Sequence, residues 1–122
     1  MGTMTTSVPY LNVRKVGPAV VLKFTRSDLT DGALIQNLGD EIYQVIKAIS
    51  NPRVIVDLAQ VERLSSATLG MLVALRKVID NMDGHMRVAN VAADLQAIFK
   101  MTRLDVTLHL HETIDAAVES LG

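Results

Sequence analysis

The chain contains no cysteine and no tryptophan, and only 3% of its 122 residues are aromatic. Without cysteine there is no disulfide, no thiolate metal site and no thiol nucleophile. That lack fits a reducing compartment. With so few aromatics, the core has to be packed from Leu, Ile, Val, Ala and Met. Charge is scarce in another sense: 12 Lys and Arg face 13 Asp and Glu, for a formal net charge of −1, and no stretch is rich in basic residues. A protein that binds nucleic acid directly would show a basic patch. No apolar run reaches the roughly 18 residues that a membrane span needs. Residues 1–9 are polar and lack the apolar segment of a secretion signal. A cytoplasmic location is the expectation.

What the chain does have is apolar residues, 49% of the total, in a length that suits one domain. Residues 1–9 read as a loose tail and 10–122 as the domain. Residues 10–16 partly alternate, Gly17-Pro18 marks a turn, and residues 19–24 are apolar and β-branched. That is the pattern of a hairpin. From Ala33 the period changes: Leu34, Leu38, Ile42, Val45, Ile46 and Ile49 make one helical stripe, ended by Ser50-Asn51-Pro52. Asp28, Asp31, Asp40 and Glu41 lie around its start, where acids complement the helix dipole. The run 54–58 reads as a central strand. A second helix is expected from Ser66 to about Met82, with Asp83-Gly84 as its end signal. A strand over 86–91, a helix over 92–100, a short strand over 106–110 and a helix over 113–121 follow. The order implies an α/β fold: a single mixed, mostly parallel sheet with about four helices packed on it.

The most informative stretch runs from Asp57 to Gly70. A buried strand ends, the chain turns, and two serines open an apolar helix. Backbone N–H groups and the dipole favour negative charge at such a place. Ser65 or Ser66 also suits a plain N-cap, worth about 1 kcal/mol. The two roles are compatible.

Ser65-Ser66-Ala67-Thr68-Leu69-Gly70, after a strand that ends in Asp57-Leu58, resembles the STAS domain of anti-sigma-factor antagonists. The similarity continues through Met71-Leu72-Val73-Ala74-Leu75 and into Asp83-Gly84 before a strand. The stretch from Ile98 to Asp105 is similar to the family's Leu-x-x-Thr-Gly-Leu-Asp corner, and Glu112 to Ala117 to its final-helix start. The resemblance implies a regulatory protein-binding module rather than an enzyme, with no cofactor. It implies that Ser66 is phosphorylated by a serine-protein kinase that is also the anti-sigma factor, and that a PP2C-type phosphatase resets it. The unmodified form would bind the anti-sigma factor as a monomer or weak homodimer, and the phosphorylated form would not. Ser65 stands where many members carry Asp, and Thr68 where many carry Gly. That leaves Ser65 and Thr68 as alternative acceptors and places Thr68 on the face that a kinase approaches. Arg63, Ser65, Ser66, Thr68, Met71 and Leu75 form the expected partner-binding set, with Arg63 able to pair with a phosphate. The alternative is a module of the same fold without a switch, either a scaffold or a transport-system subunit.

Other constellations carry less. His109 and His111 lie two apart and would share a strand face, but no firm third ligand accompanies them, so no metal site is expected. There is no Gly-x-Ser-x-Gly and no Walker-type phosphate loop. Asp57 ends a strand as the acceptor of a response-regulator receiver would, but no acidic pair follows either opening strand.

Overall fold

The structure, a computed structural model, describes residues 10–121. The expected tail over 1–9 and position 122 lie outside the described residues. β1 (Leu11–Val16) and β2 (Ala19–Phe24) form the opening hairpin, with Leu11 opposite Phe24 and Val16 opposite Ala19. Gly17 turns between them at φ +57°, a conformation that side chains disfavour. A two-residue strand, β3 (Asp28–Leu29), leads into α1 (Gly32–Ile46). Then come β4 (Arg53–Asp57), a second two-residue strand β5 (Arg63–Leu64), and α2 (Ser66–Asn81). β6 (His85–Ala89), α3 (Ala93–Met101), α4 (Leu104–Thr107), β7 (Leu110–His111) and α5 (Ile114–Leu121) complete the chain.

The main sheet has the order β1-β2-β4-β6-β7, antiparallel at the hairpin and parallel elsewhere. This is the expected mixed, mostly parallel sheet. Alternation along each strand divides the core. Val20, Leu22, Val54, Val56, Met86 and Val88 face α1, α2 and α3, while Ala19, Val21, Ile55 and Ala89 face α5. A single eight-residue helix covers the second face through Ala117 and Leu121. Since β2, β4 and β6 run parallel, the helices that follow them all start at the same edge of the sheet.

The expected strand over 106–110 is a correction. Arg103 adopts φ +60° and starts a helical turn, in which the Leu108 N–H reaches Leu104 O at 2.8 Å. Leu104 and Leu108, four apart, are the residues that pack inward, while Val106 is 72% exposed. Burial of an i, i+4 pair outweighs β-propensity here. Only Leu110–His111 joins the sheet. A fifth helix, β3 and β5 are therefore additions to the expected order. α1 also ends three residues before Ile49, although Ile49 still packs against the core. Of the acids around its start, only Asp31 serves the helix end. It is the N-cap and accepts from the N–H of Ala33 and Leu34, and the first turn holds no acid.

The end of α2 is a Schellman turn. Asp83 takes the left-handed position at φ +57°, its N–H reaches Asp80 O, and the N–H of Gly84 reaches Ile79 O. Gly84 is there for space. A Cβ at this position would stand 2.2 Å from Pro52 O and 2.9 Å from Ile79 Cγ2. The glycine lets β6 start against the entry of β4, where the His85 N–H bonds Pro52 O at 2.8 Å.

Three outcomes follow for stability. Gly84→Ala should lower unfolding free energy by about 2–3 kcal/mol in urea titration, because the obstacle is backbone. Arg103→Gly should raise it by about 0.5–1 kcal/mol, relieving the left-handed residue. His109 and His111 are held below the ordinary imidazole value, mainly by burial, with Arg87 adding repulsion for both. The unfolded chain therefore binds more protons as pH falls below the ordinary histidine value. Stability is full above that value and declines as pH drops through the lowered folded-state values. The urea midpoint at about pH 5.5 should be below that at about pH 7.5, and replacing both histidines by Gln should narrow the gap.

Candidate functional site

β4 ends on Asp57, a buried carboxylate at 3% exposure. Its Oδ1 accepts from the N–H of Ala59 at 2.9 Å and from Asn90 Nδ2 at 3.1 Å. Asn90 itself adopts φ +61° just beyond β6. Through that one oxygen the carboxylate fastens the two central strand ends. From there Val61 dips into the core, and the N–H groups of Glu62 and Arg63 both reach Ser27 O, at 2.7 and 3.0 Å. β5 then pairs with β3 in parallel, Arg63 beside Asp28 and Leu64 beside Leu29. This small ladder joins the connection that enters α2 to the one that enters α1.

Asp28 adds charge to the ladder. The Thr30 hydroxyl, then its N–H at 3.0 Å, holds the Asp28 carboxyl below the usual carboxylate range, and Arg63 and Arg26 reinforce the effect. Arg26 in turn stacks 4.9 Å above the ring centre of Tyr10. The surface around the turn therefore carries both signs of charge.

Ser65 is the N-cap of α2, in extended conformation. Its Oγ accepts the Thr68 N–H at 3.4 Å, and its own N–H reaches Thr68 Oγ1 at 3.3 Å. This is a capping box with Thr in place of the usual Glu or Gln. Thr68 Oγ1 also donates to Leu29 O in β3. Ser66 is the first helical residue and is exposed, as are Ala67 and Gly70. Among the described residues, none of the turn's side-chain hydrogen bonds involves the Ser66 hydroxyl.

The expected site residues separate into two groups. Arg63 and Ser66 lie exposed on the turn, and Ser65 is half-buried beside them. Thr68 is a correction: expected on the accessible face, it is 0% exposed, with its hydroxyl directed at β3. Leu75 is a second one. The buried stripe of α2 is Thr68, Leu72, Leu75 and Ile79, so Leu75 belongs to the core side, at 7% exposure. Met71 remains half-buried. It lines a shallow apolar groove of ≈ 170 Å³ between α1 and α2 with Gly39, Tyr43, Ala74 and Val78, and the buried Ile42 and Leu75 also line it. Tyr43 is 46% exposed there and was not legible as part of a surface, because it lies off the apolar stripe of α1. Leu29 and Asn90 were also missed; both act through geometry that only the fold brings together. No group of three or more metal-ligating side chains forms among the described residues.

Comparison with known proteins bears on this arrangement. The sequence profile of the family described as STAS domain matches residues 10–117. Among curated proteins, none matches significantly. Solved structures do. An anti-sigma-factor antagonist (STAS) domain protein from Planctomyces limnophilus superposes with a TM-score of 0.81 at 17% identity, covering 92% of this chain and 97% of that one. An anti-sigma factor antagonist from Mycobacterium paratuberculosis gives 0.78 at 24% identity, covering 95% and 98%. The murine solute carrier 26 family member A9 anion transporter gives 0.71 at 11% identity, covering 88% of this chain and 18% of that one. At these identities the superpositions speak for the fold, and the profile match for the family: the chain belongs to the STAS domain family.

Proposed function

We propose that this chain is an anti-sigma-factor antagonist, a non-catalytic module that binds an anti-sigma factor and is switched off by phosphorylation of Ser66. The observation that carries the reading is the position of that residue. Ser66 is the exposed first residue of α2, on a turn whose cap is already complete without it. A phosphoserine brings about −1.5 to −2 charges. At a helix N-terminus the dipole and free N–H groups accommodate them, so the fold keeps its stability. A partner seated on the turn meets new bulk and a charge that it has to desolvate. The partner-facing set is Arg63, Ser65 and Ser66 on the turn, extended by Met71 along α2. The kinase is the anti-sigma factor itself, a PP2C-type phosphatase restores the alcohol, and the cycle runs in the cytoplasm. The likeness to a domain of an anion transporter favours a second reading, in which the same surface serves a transport system and Ser66 is never modified.

The two readings part in one experiment. The chain is incubated with the anti-sigma factor kinase and ATP, and the label is mapped by mass spectrometry. Label on Ser66, lost in Ser66→Ala, is expected. Ser66→Asp should weaken binding of that kinase over a hundredfold, a loss of about 3 kcal/mol, while its urea midpoint stays near that of the native chain. Label on another residue, or undiminished binding by Ser66→Asp, would defeat the switch.

A further inference from the structure

We infer that Thr68 is a positioning residue, whose buried hydroxyl clamps the serine turn to β3 and leaves Ser66 as the single free alcohol of the three. A threonine hydroxyl has one proton and two lone pairs. The proton of Thr68 goes to Leu29 O. One lone pair takes the Ser65 N–H at 3.3 Å. Thr68 Oγ1 and Ser65 Oγ also lie 3.3 Å apart, and with the threonine proton committed, the serine has to be the donor. Ser65 Oγ in turn accepts the Thr68 N–H at 3.4 Å. Both serine and threonine are thereby held at donor and acceptor, and Thr68 is also fully buried. Ser66 stands outside this closed set.

The clamp also fixes what lies around Ser66. The first N–H groups of a helix have no partner within it. The Thr68 N–H is shared between Ser65 O at 3.1 Å and the Ser65 hydroxyl at 3.4 Å, and those of Ser66 and Ala67 make no intramolecular hydrogen bond among the described residues. They remain for an anion at Ser66. Phosphoryl transfer there forms the Oγ–P bond, breaks the terminal phosphoanhydride bond of ATP to leave ADP, and passes the serine proton to the kinase. The inference deepens the proposed switch and rests on Ser66 being its acceptor, but the geometry that it invokes exists in the unmodified chain.

The test uses the full chain with Thr68→Val, which deletes the hydroxyl and keeps the shape, and Thr68→Ser, which keeps the hydroxyl. Amide exchange at Ser65 should be about tenfold faster in Thr68→Val, measured against Val56 in the core, and near native in Thr68→Ser. Each chain is then prepared with phosphoserine encoded at position 66 and titrated by phosphorus NMR. The second phosphate pKa should be lower in the native and Thr68→Ser chains than in Thr68→Val by about 0.2–0.7, the size of a helix-terminus effect. A merely space-filling Thr68 would not move that titration. If Thr68→Val does not fold, Thr68→Ala takes its place. Equal exchange and equal titrations in all chains overturn the clamp, as does Thr68→Ser behaving like Thr68→Val. The two ideas fail separately. An unlabelled Ser66 defeats the switch and leaves the exchange result standing. A labelled Ser66 with unchanged exchange removes Thr68 and leaves the switch.

Discussion

The hydrogen bond from the Thr68 hydroxyl to Leu29 O is the interaction on which the candidate site depends. β3 and β5 pair over only two residues, too short a ladder to hold two connections in place by itself. Ser27 O gathers two N–H groups from the incoming chain on one side, and Leu29 O takes the threonine on the other. A buried carbonyl without a donor would cost about 1–3 kcal/mol. Satisfying it from α2 sets where that helix begins, and hence which side chain of the serine turn faces outward.

That arrangement would separate stability from the proposed switch. Capping falls to Ser65, half-buried with its hydroxyl bonded within the turn, and to Thr68, which is fully buried. A charge placed on Ser66 therefore disturbs no bond that the fold uses, and the helix terminus receives it favourably. A partner has no such accommodation. Asp28, with its carboxyl held ionised by Thr30 and Arg63, already contributes negative charge to the same ladder. Arg63 lies opposite it in register, so the only basic group on β5 is partly answered before any phosphate arrives. Under the proposed function, recognition of the turn would depend on shape and on the absence of further negative charge, a suitable basis for an on–off device.

Much of the fold was legible because its signals are long and periodic. The hairpin, the stripes of α1 and α2 and the central strand all rest on several residues each, and the pair Ser65-Ser66 marks the start of α2 by residue type, with Ser65 proving to be the cap. The parts that were not legible are short or non-local. β3 and β5 have two residues each, below any period. At 104–108 a sequence of β-branched and apolar residues also satisfies a helical turn, and only the position of the core decides between them. Thr68 shows the same limit within the site. Residue type placed it correctly in the first turn of α2. Its direction depended on a carbonyl 39 residues earlier in the chain. Leu75 stands beside Met71 in the expected partner-binding set, whereas the buried stripe of α2 takes it in together with Leu72, three residues before it.

One scaffold superposes on antagonist proteins and on part of a transporter alike, so the two proposed readings differ in the site and not in the fold. The feature that favours the proposed switch is the first turn of α2. A glycine at position 68 would leave Leu29 O to find another donor and Ser65 free to rotate, and two alcohols would then compete for the surface. The threonine removes that ambiguity without adding anything to the exposed face. A module that only had to be held in an assembly would gain nothing from keeping one hydroxyl apart from the cap. The mutually bonded Ser65 and Thr68 and the unbonded Ser66 make physical sense together if the unbonded oxygen is the one that reacts.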